Sequence, residues 1–148
     1  MPPKSTVEVD VDLPGQGYIP RSYVPDMRLK IDLYRRLARV SSRSELADII
    51  SELSDRFGPP PPPMEHLLSL AEIRLDAHHW QIDSIHLEEP YMVFTYTSAR
   101  LIQLLAAANG GKLRVVDGRS AYLPMGQGVT EPGAIQTIVK SLLQWQSD

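Results

Sequence analysis

The chain contains no cysteine, and this absence excludes disulfide bonds, thiolate catalysis and every zinc site built from cysteine ligands. No apolar run approaches the ~20 residues that a helix needs to span a bilayer, so membrane insertion is excluded on length. The first residues, Met1 to Ser5, lack the apolar core of a signal peptide. We therefore expect a cytoplasmic protein.

A strong charge of either sign is also missing. The net charge is −3, which argues against a general nucleic-acid binder because phosphate neutralisation needs a concentrated basic surface. The hydrophobic fraction of 43% and the charged fraction of 22% are ordinary for a globular protein. A chain of 148 residues can bury roughly 68–70% of its unfolded surface, which predicts a single domain over residues 1–148.

The first half of the chain has a helical pattern after a short extended start. Residues 1–26 are expected to form an entry strand, where valines alternate with acidic residues, and then an extended segment. Residues 27–80 form the helical part. Its first helix is predicted from Met27 to Val40 with Asp26 as N-cap, and the capping-box sequence Ser42–Glu45 begins a second helix. The short turn between them predicts an antiparallel helical hairpin.

The second helix ends at a double stop signal. Gly58 suits the left-handed residue just past a helix C-terminus, and the run Pro59–Pro63 cannot continue the helix. The prolines predict a stiff polyproline segment, and Pro63 can begin a third helix. We expect that third helix to fray near residues 77–80.

Residues 81–148 form a part made of strands and helices. Two strands are predicted at Ile82–Glu88 and Tyr91–Tyr96, followed by a helix that ends at Ala108, a hairpin at Asp117-Gly118 and an amphipathic C-terminal helix. The fold class is therefore α+β: an N-terminal helical hairpin plus a third helix, packed with a small, mostly antiparallel sheet and a C-terminal helix.

The common patterns of small-ligand sites are incomplete in this sequence. Gly110-Gly111-Lys112 lacks the other residues of a phosphate loop. His78 and His79 are adjacent, so on a helix they diverge by about 100° and cannot both face one metal ion. No serine lies in a Gly-x-Ser-x-Gly context. We expect no catalytic residue, cofactor or metal site in this chain.

Two charged helix faces remain as candidate interaction sites. On the second helix, four carboxylates spaced 3, 4 and 3 lie on one side and form an acidic stripe: Glu45, Asp48, Glu52 and Asp55. On the first helix and the start of the second, five arginines form a basic arc: Arg28, Arg35, Arg36, Arg39 and Arg43. Such an arc can track phosphates, although Asp32 interrupts it and no aromatic residue interleaves with it for base stacking.

Charged faces are usually solvated surfaces, and both faces have that simpler interpretation. Asp55 is the exception within the acidic stripe. It lies in the last turn of its helix, where the dipole disfavours an anion by ~0.3–1 kcal/mol at exposed sites. A function in binding would explain a carboxylate at this position.

A series of short motifs runs through residues 7–80. The motifs are Tyr18-Ile19-Pro20, Tyr23-Val24-Pro25-Asp26, Arg28-Leu29, Tyr34-Arg35-Arg36-Leu37-Ala38, Glu52-Leu53 and Asp55-Arg56-Phe57-Gly58, then Pro61, Pro63, Leu67-Leu68, Ala71 and Arg74. In order and spacing they resemble the C-terminal domain of the bacterial transcription-repair coupling factor (Mfd). Past Ile82 the chain keeps the family's general plan with little residue identity.

The resemblance implies one module of a larger, ATP-driven, helicase-like DNA translocase. Members of this family displace RNA polymerase stalled at DNA damage and recruit the nucleotide-excision repair protein UvrA. Their C-terminal module docks on the UvrA-binding domain of the same chain and restrains the motor. UvrA, RNA polymerase and DNA are thus indirect partners, ATP and magnesium bind elsewhere in the parent protein, and the isolated domain is expected to be monomeric.

The resemblance also assigns parts to residues of this chain. The positions that match the family's docking contacts are Glu52 and Asp55, with Asp48 and Glu45 as extensions. The structural motif that follows them is Arg56, Phe57 and Gly58. The alternative function is a nucleic-acid-binding module that uses the basic arc of the first helix.

Overall fold

Five helices and five strands make up the part of the chain that the computed structural model describes, residues 9–14, 17–126 and 131–145. The helices are α1 (Met27–Ala38), α2 (Arg43–Phe57), α3 (Pro62–His79), α4 (Ala99–Ala108) and α5 (Pro132–Leu143). The strands are β1 (Asp10–Asp12), β2 (Ile82–Glu88), β3 (Tyr91–Tyr96), β4 (Arg114–Val115) and β5 (Ser120–Pro124). The predicted α+β class is confirmed.

The strands form one sheet in the order β1-β2-β3-β5-β4. Strand β1 pairs with β2 in parallel, and the other neighbours are antiparallel, so the mostly antiparallel sheet is also confirmed. The bounds of β2 and β3 are those the sequence predicts. The predicted entry strand is observed as β1, and its first part lies outside the described residues. No helix among the described residues is long and apolar enough to cross a membrane.

The predicted helix starts are set by side-chain caps. The Asp26 carboxylate accepts hydrogen bonds from the backbone N–H groups of Arg28 at 2.9 Å and Leu29 at 3.4 Å. The Ser42 hydroxyl accepts from the N–H of Glu45 at 3.1 Å. These bonds satisfy backbone donors that have no partner within their own helix. Helix α1 ends at Ala38, two residues earlier than predicted.

The junction between α2 and α3 lies where Gly58 and the prolines predict it, except that α3 begins one residue early. Gly58 has φ +83°, a backbone angle that side chains disfavour, and its N–H donates to Ser54 O at 3.0 Å. Helix α3 begins at Pro62, one residue before the predicted start. The prediction that α3 frays near residues 77–80 is wrong, because the helix continues to His79 and Ala77 is completely buried.

Helix α3 packs on two sides and thereby divides the core into two clusters. Its residues Met64, Leu68, Ala71 and Leu75 face the cluster formed with α1 and α2. Ile73 and Ala77 belong to the cluster formed with the sheet, α4 and α5. A helix that is apolar on more than one face is buried rather than amphipathic. The second apolar side of α3 is missing from the sequence prediction.

The segment that enters α1 crosses directly over the start of α3. The N–H of Tyr18 donates to Pro63 O at 3.1 Å. A Cβ atom added to Gly17 would lie 2.4 Å from the backbone nitrogen of Leu67 and 2.5 Å from its Cα atom. The two backbones therefore approach so closely that only glycine fits at position 17.

Candidate interaction surface

The acidic stripe of α2 faces the basic arc of α1 across the hairpin. Arg36 Nη2 lies 2.8 Å from Glu52 Oε2. A shallow groove of about 280 Å³ between the two helices is lined by Arg36 and Arg39 from α1 and by Glu45 and Asp48 from α2. The structure thus brings together two faces that the sequence presents separately, and part of each charge is balanced within the domain.

Glu52 is shared between two arginines. Its carboxylate pairs with Arg36 and, more distantly, with Arg56 one turn along the helix at 3.9 Å. The hydrogen bond from Arg36 lowers the pKa of Glu52 and raises the pKa of Arg36. Because the Glu52 and Arg36 side chains remain 40% and 36% exposed, the pair stabilises the hairpin by only ~0–1 kcal/mol. Glu52 is accessible, but its charge already has partners.

Asp55 is exposed in the last turn of α2. Within the described part of the chain it forms no hydrogen bond or ion pair. It does not line the groove that holds Glu45 and Asp48. Its negative charge therefore faces solvent at the unfavourable end of the helix dipole.

The last turn of α2 is held by contacts with Tyr23, which lies in the segment that enters α1. The buried Tyr23 hydroxyl donates to Gly58 O at 2.8 Å, and its ring lies 5.6 Å from the ring of Phe57. Burial raises the pKa of Tyr23, so this hydroxyl stays protonated and available as a donor. Arg56 covers the Phe57 ring at 5.3 Å. The motif thus sets where Asp55 projects.

The basic arc does not form one continuous surface. Arg28, Arg35 and Arg39 are exposed and form no ion pair among the described residues. Arg36 is engaged by Glu52. Arg43 opens α2 and turns toward α3, where its guanidinium contacts the carboxylate of Asp76 at 2.6 Å. The arc is therefore divided among a free part, a paired part and a structural part.

A cluster around Asp76 is the main polar feature that the sequence does not predict. Asp76 is 1% exposed, and its Oδ1 accepts from Arg43 and from the indole N–H of Trp145 at 3.1 Å. Burial raises the pKa of Asp76, against the opposing effect of the Arg43 charge. The Trp145 ring stacks on His79 at 3.6 Å and lies under Arg43 at 4.5 Å. The feature of the sequence that could have indicated this cluster is a single carboxylate, Asp76, between two apolar residues of a helix.

This cluster joins the start of α2, the end of α3 and the residues after α5. It holds the Arg43 guanidinium against the Asp76 carboxylate and the Trp145 ring. Among the described residues no group of three or more histidine or acidic side chains is placed to hold a metal ion.

The same architecture occurs in a solved structure. The crystal structure of the C-terminal domain of a transcription-repair coupling factor superimposes with a TM-score of 0.73, covering 95% of this chain and 94% of that one. The sequence identity is 18%, so this likeness shows the fold. The class is thus that of an α+β domain with this fold.

The family follows from sequence comparisons. The model of the TRCF domain matches residues 13–105. The transcription-repair-coupling factor of Myxococcus xanthus is 31% identical over 101 residues, or 68% of this chain and 8% of that protein. The factor of Bacillus subtilis is 29% identical over 141 residues, or 93% of this chain and 12% of that protein. The chain belongs to the transcription-repair coupling factor family, as its motifs predict, and spans about a tenth of the length of these relatives.

Proposed function

We propose that this chain is the autoinhibitory interaction module of a transcription-repair coupling factor that acts in transcription-coupled nucleotide-excision repair. The parent protein is an ATP-dependent translocase that displaces stalled RNA polymerase and recruits UvrA. The module docks through the acidic stripe of α2 on the UvrA-binding domain of the same parent chain. While docked, it covers the surface that UvrA needs and restrains the motor.

The exposed position of Asp55 is the observation that carries this proposal. Its carboxylate has no partner among the described residues, and the dipole of α2 disfavours it. An arginine on a docked domain would remove this unfavourable interaction and form a charge-assisted hydrogen bond. Because Tyr23 and Phe57 fix the last turn, docking requires little ordering of the backbone around Asp55.

Glu52 contributes to docking in a different way. An incoming arginine must share its carboxylate with Arg36 at 2.8 Å, so part of any new interaction replaces an existing one. We therefore expect Asp55 to account for more of the docking energy than Glu52. Weak contacts suffice in the intact parent, since the two domains are tethered and their effective concentration is high.

The test is charge reversal in the full-length parent protein. Asp55→Lys should raise both the basal ATPase rate and the affinity for UvrA, because the clamp opens. Glu52→Lys should act in the same direction with a smaller effect on opening. Its melting temperature should fall slightly, since a lysine at position 52 repels Arg36.

Glu65 provides the control because it is an exposed carboxylate on a different helix, α3, and does not belong to the acidic stripe. Glu65→Lys changes the net charge equally and should leave both readouts at wild-type values. If Asp55→Lys behaves like Glu65→Lys in both assays, the docking proposal is wrong.

A nucleic-acid-binding module remains the alternative function. It is favoured by the exposure of Arg28, Arg35 and Arg39 on α1. Two other members of the basic arc, Arg36 and Arg43, are engaged by carboxylates of the domain. Only three arginines of the arc lack a carboxylate partner among the described residues, and three offer fewer phosphate contacts than the full arc, so this alternative has less support than docking through α2.

A further inference from the structure

Helix α1 carries a row of apolar side chains on its solvent side. Met27 is 63% exposed, Ile31 is 51% exposed and Tyr34 is 38% exposed. The exposed Ala38 continues the row. These four residues, the α1 seam, are separate from Leu33 and Leu37, which lie on another side of the helix and are buried in the core.

The α1 seam has the spacing of a helix-pairing surface. Its members are separated by 4, 3 and 4 residues, the alternation of a and d positions in a coiled coil. At a rise of 1.5 Å per residue the seam is about 16 Å long, which matches about three turns of a partner helix. An ordinary solvated helix face shows scattered apolar residues rather than a row with this period.

The middle of the seam is held rigid. The Tyr34 hydroxyl accepts a hydrogen bond from the N–H of Ile19 at 2.8 Å, which fixes the ring beside the entry segment. Tyr18, the residue before Ile19, is 51% exposed and adds apolar surface beside the Tyr34 ring. A fixed aromatic ring contributes contact area to binding without a further loss of side-chain entropy.

The charges at the e and g positions beside the seam have one sign, and the exposed Asp32 lies further round the helix at a b position. Arg28 and Arg35 directly follow Met27 and Tyr34, which places them at the e positions of the heptad pattern, and both are exposed. On the other side Lys30 occupies a g position. Residues at the e and g positions determine which partner helix can pair, and these positive residues favour a partner helix with acidic residues at its own e and g positions.

We propose that the α1 seam binds a helix of another protein that has apolar residues at 3–4 spacing with Asp or Glu beside them. A second copy of this chain does not fit, because an antiparallel pair brings arginines against arginines and a parallel pair brings Arg28 and Arg35 near Lys30. Nucleic acid would leave the apolar row without a partner. This inference concerns α1 and does not rest on docking through α2.

A designed peptide can test the seam directly. The probe is a fluorescein-labelled peptide of about three heptads with leucine at a and d and glutamate at e and g, whose own charges oppose self-association. The control peptide has lysine at e and g. Fluorescence anisotropy with the complete 148-residue chain should show the glutamate peptide binding at least tenfold more tightly than the lysine peptide.

Variants of the chain locate the binding surface. Ile31→Asp places a charge in an exposed position and should weaken binding of the glutamate peptide at least tenfold while leaving the melting temperature unchanged. The combined change Arg28→Glu and Arg35→Glu should reverse the preference between the two peptides. Leu104→Asp is the matched control, since Leu104 is also 51% exposed but lies on α4.

Several outcomes overturn the proposal. One is equal binding of both peptides, and another is the absence of binding by the glutamate peptide. Loss of binding in Leu104→Asp to the same degree as in Ile31→Asp would show a non-specific apolar contact. Two further measurements cover other occupants: an Ile31-dependent dimer in sedimentation would assign the seam to a second copy, and Ile31-dependent binding to anionic phospholipid vesicles alone would assign it to a membrane surface.

Discussion

The close approach of the entry segment to α3 makes Gly17→Ala a sharp test of the fold. The φ angle of Gly17 lies outside the left-handed region, so alanine can adopt it and the cost is purely steric. The new methyl group would lie 2.4 Å from Leu67 N and 2.9 Å from the carbonyl carbon of His66. These are backbone atoms of a helix, which cannot rotate away as a side chain could.

The expected loss can be estimated from three contributions. Overpacking of this kind costs ~1–3 kcal/mol. Displacement of the segment also breaks the bond from Tyr18 N to Pro63 O, which contributes ~1 kcal/mol. The smaller entropy of the unfolded alanine chain offsets ~0.4–1 kcal/mol. The net destabilisation is about 2 kcal/mol, or a melting temperature lower by roughly 4–8 °C for a domain of this size.

Urea unfolding and thermal melts of the isolated chain measure this effect. Gly133→Ala is the control, since an added Cβ there meets nothing within 4 Å and the residue lies in α5. That variant should be as stable as the wild type or more stable, because alanine favours a helix by up to ~1 kcal/mol. If Gly17→Ala melts together with the wild type, the entry segment does not cross α3 as described.

Three further predictions follow from the site. Phe57→Ala should cost about 2 kcal/mol in urea unfolding, roughly half of the ~3–5 kcal/mol for a fully buried ring, because Phe57 is only half-buried; unchanged stability would contradict the packing against Tyr23. The difference in unfolding free energy between the wild type and the Asp76→Asn variant should depend on pH. Burial raises the folded-state pKa of Asp76, so wild-type stability relative to the variant is highest below the ordinary carboxyl pKa and falls as pH rises through the raised value. Urea unfolding of both proteins between about pH 3 and pH 6 would show the opposite slope if this reasoning is wrong. In anisotropy with labelled duplex DNA, the isolated chain should bind no more tightly than the ~10⁻⁴–10⁻⁶ M of non-specific contacts, and tighter binding that Arg35→Ala abolishes would favour the alternative function.

Local chemistry predicts the helix starts and the strands of this fold well. Asp26, Ser42 and Ser98 each cap a helix through a bond to a backbone N–H two or three residues along the chain. The bounds of β2 and β3 are likewise visible as apolar patterns interrupted at Glu89-Pro90. In each case the information lies within a few neighbouring residues, so the sequence is sufficient.

The pairings between elements could not be predicted in the same way. Arg36 and Glu52 are visible as charges on two helices, but their contact depends on how α1 and α2 are rotated about their axes. Asp76 and Trp145 are 69 residues apart, and no local pattern joins them. For this reason the sequence does not tell which carboxylate of the acidic stripe has partners within the domain, whereas the structure gives Glu52 two arginine partners and leaves Asp55 exposed.

The two-sided packing of α3 has a consequence for how the domain comes apart. Neither the helical hairpin nor the sheet can detach without exposing one apolar side of α3, through residues such as Leu68 toward the hairpin or Ile73 toward the sheet. Partial opening of either half is therefore costly, and the amide protons of both halves should exchange with solvent in one cooperative event. The clamp proposed above would therefore move as a rigid body, and its release would change where the module sits while its internal structure stays intact.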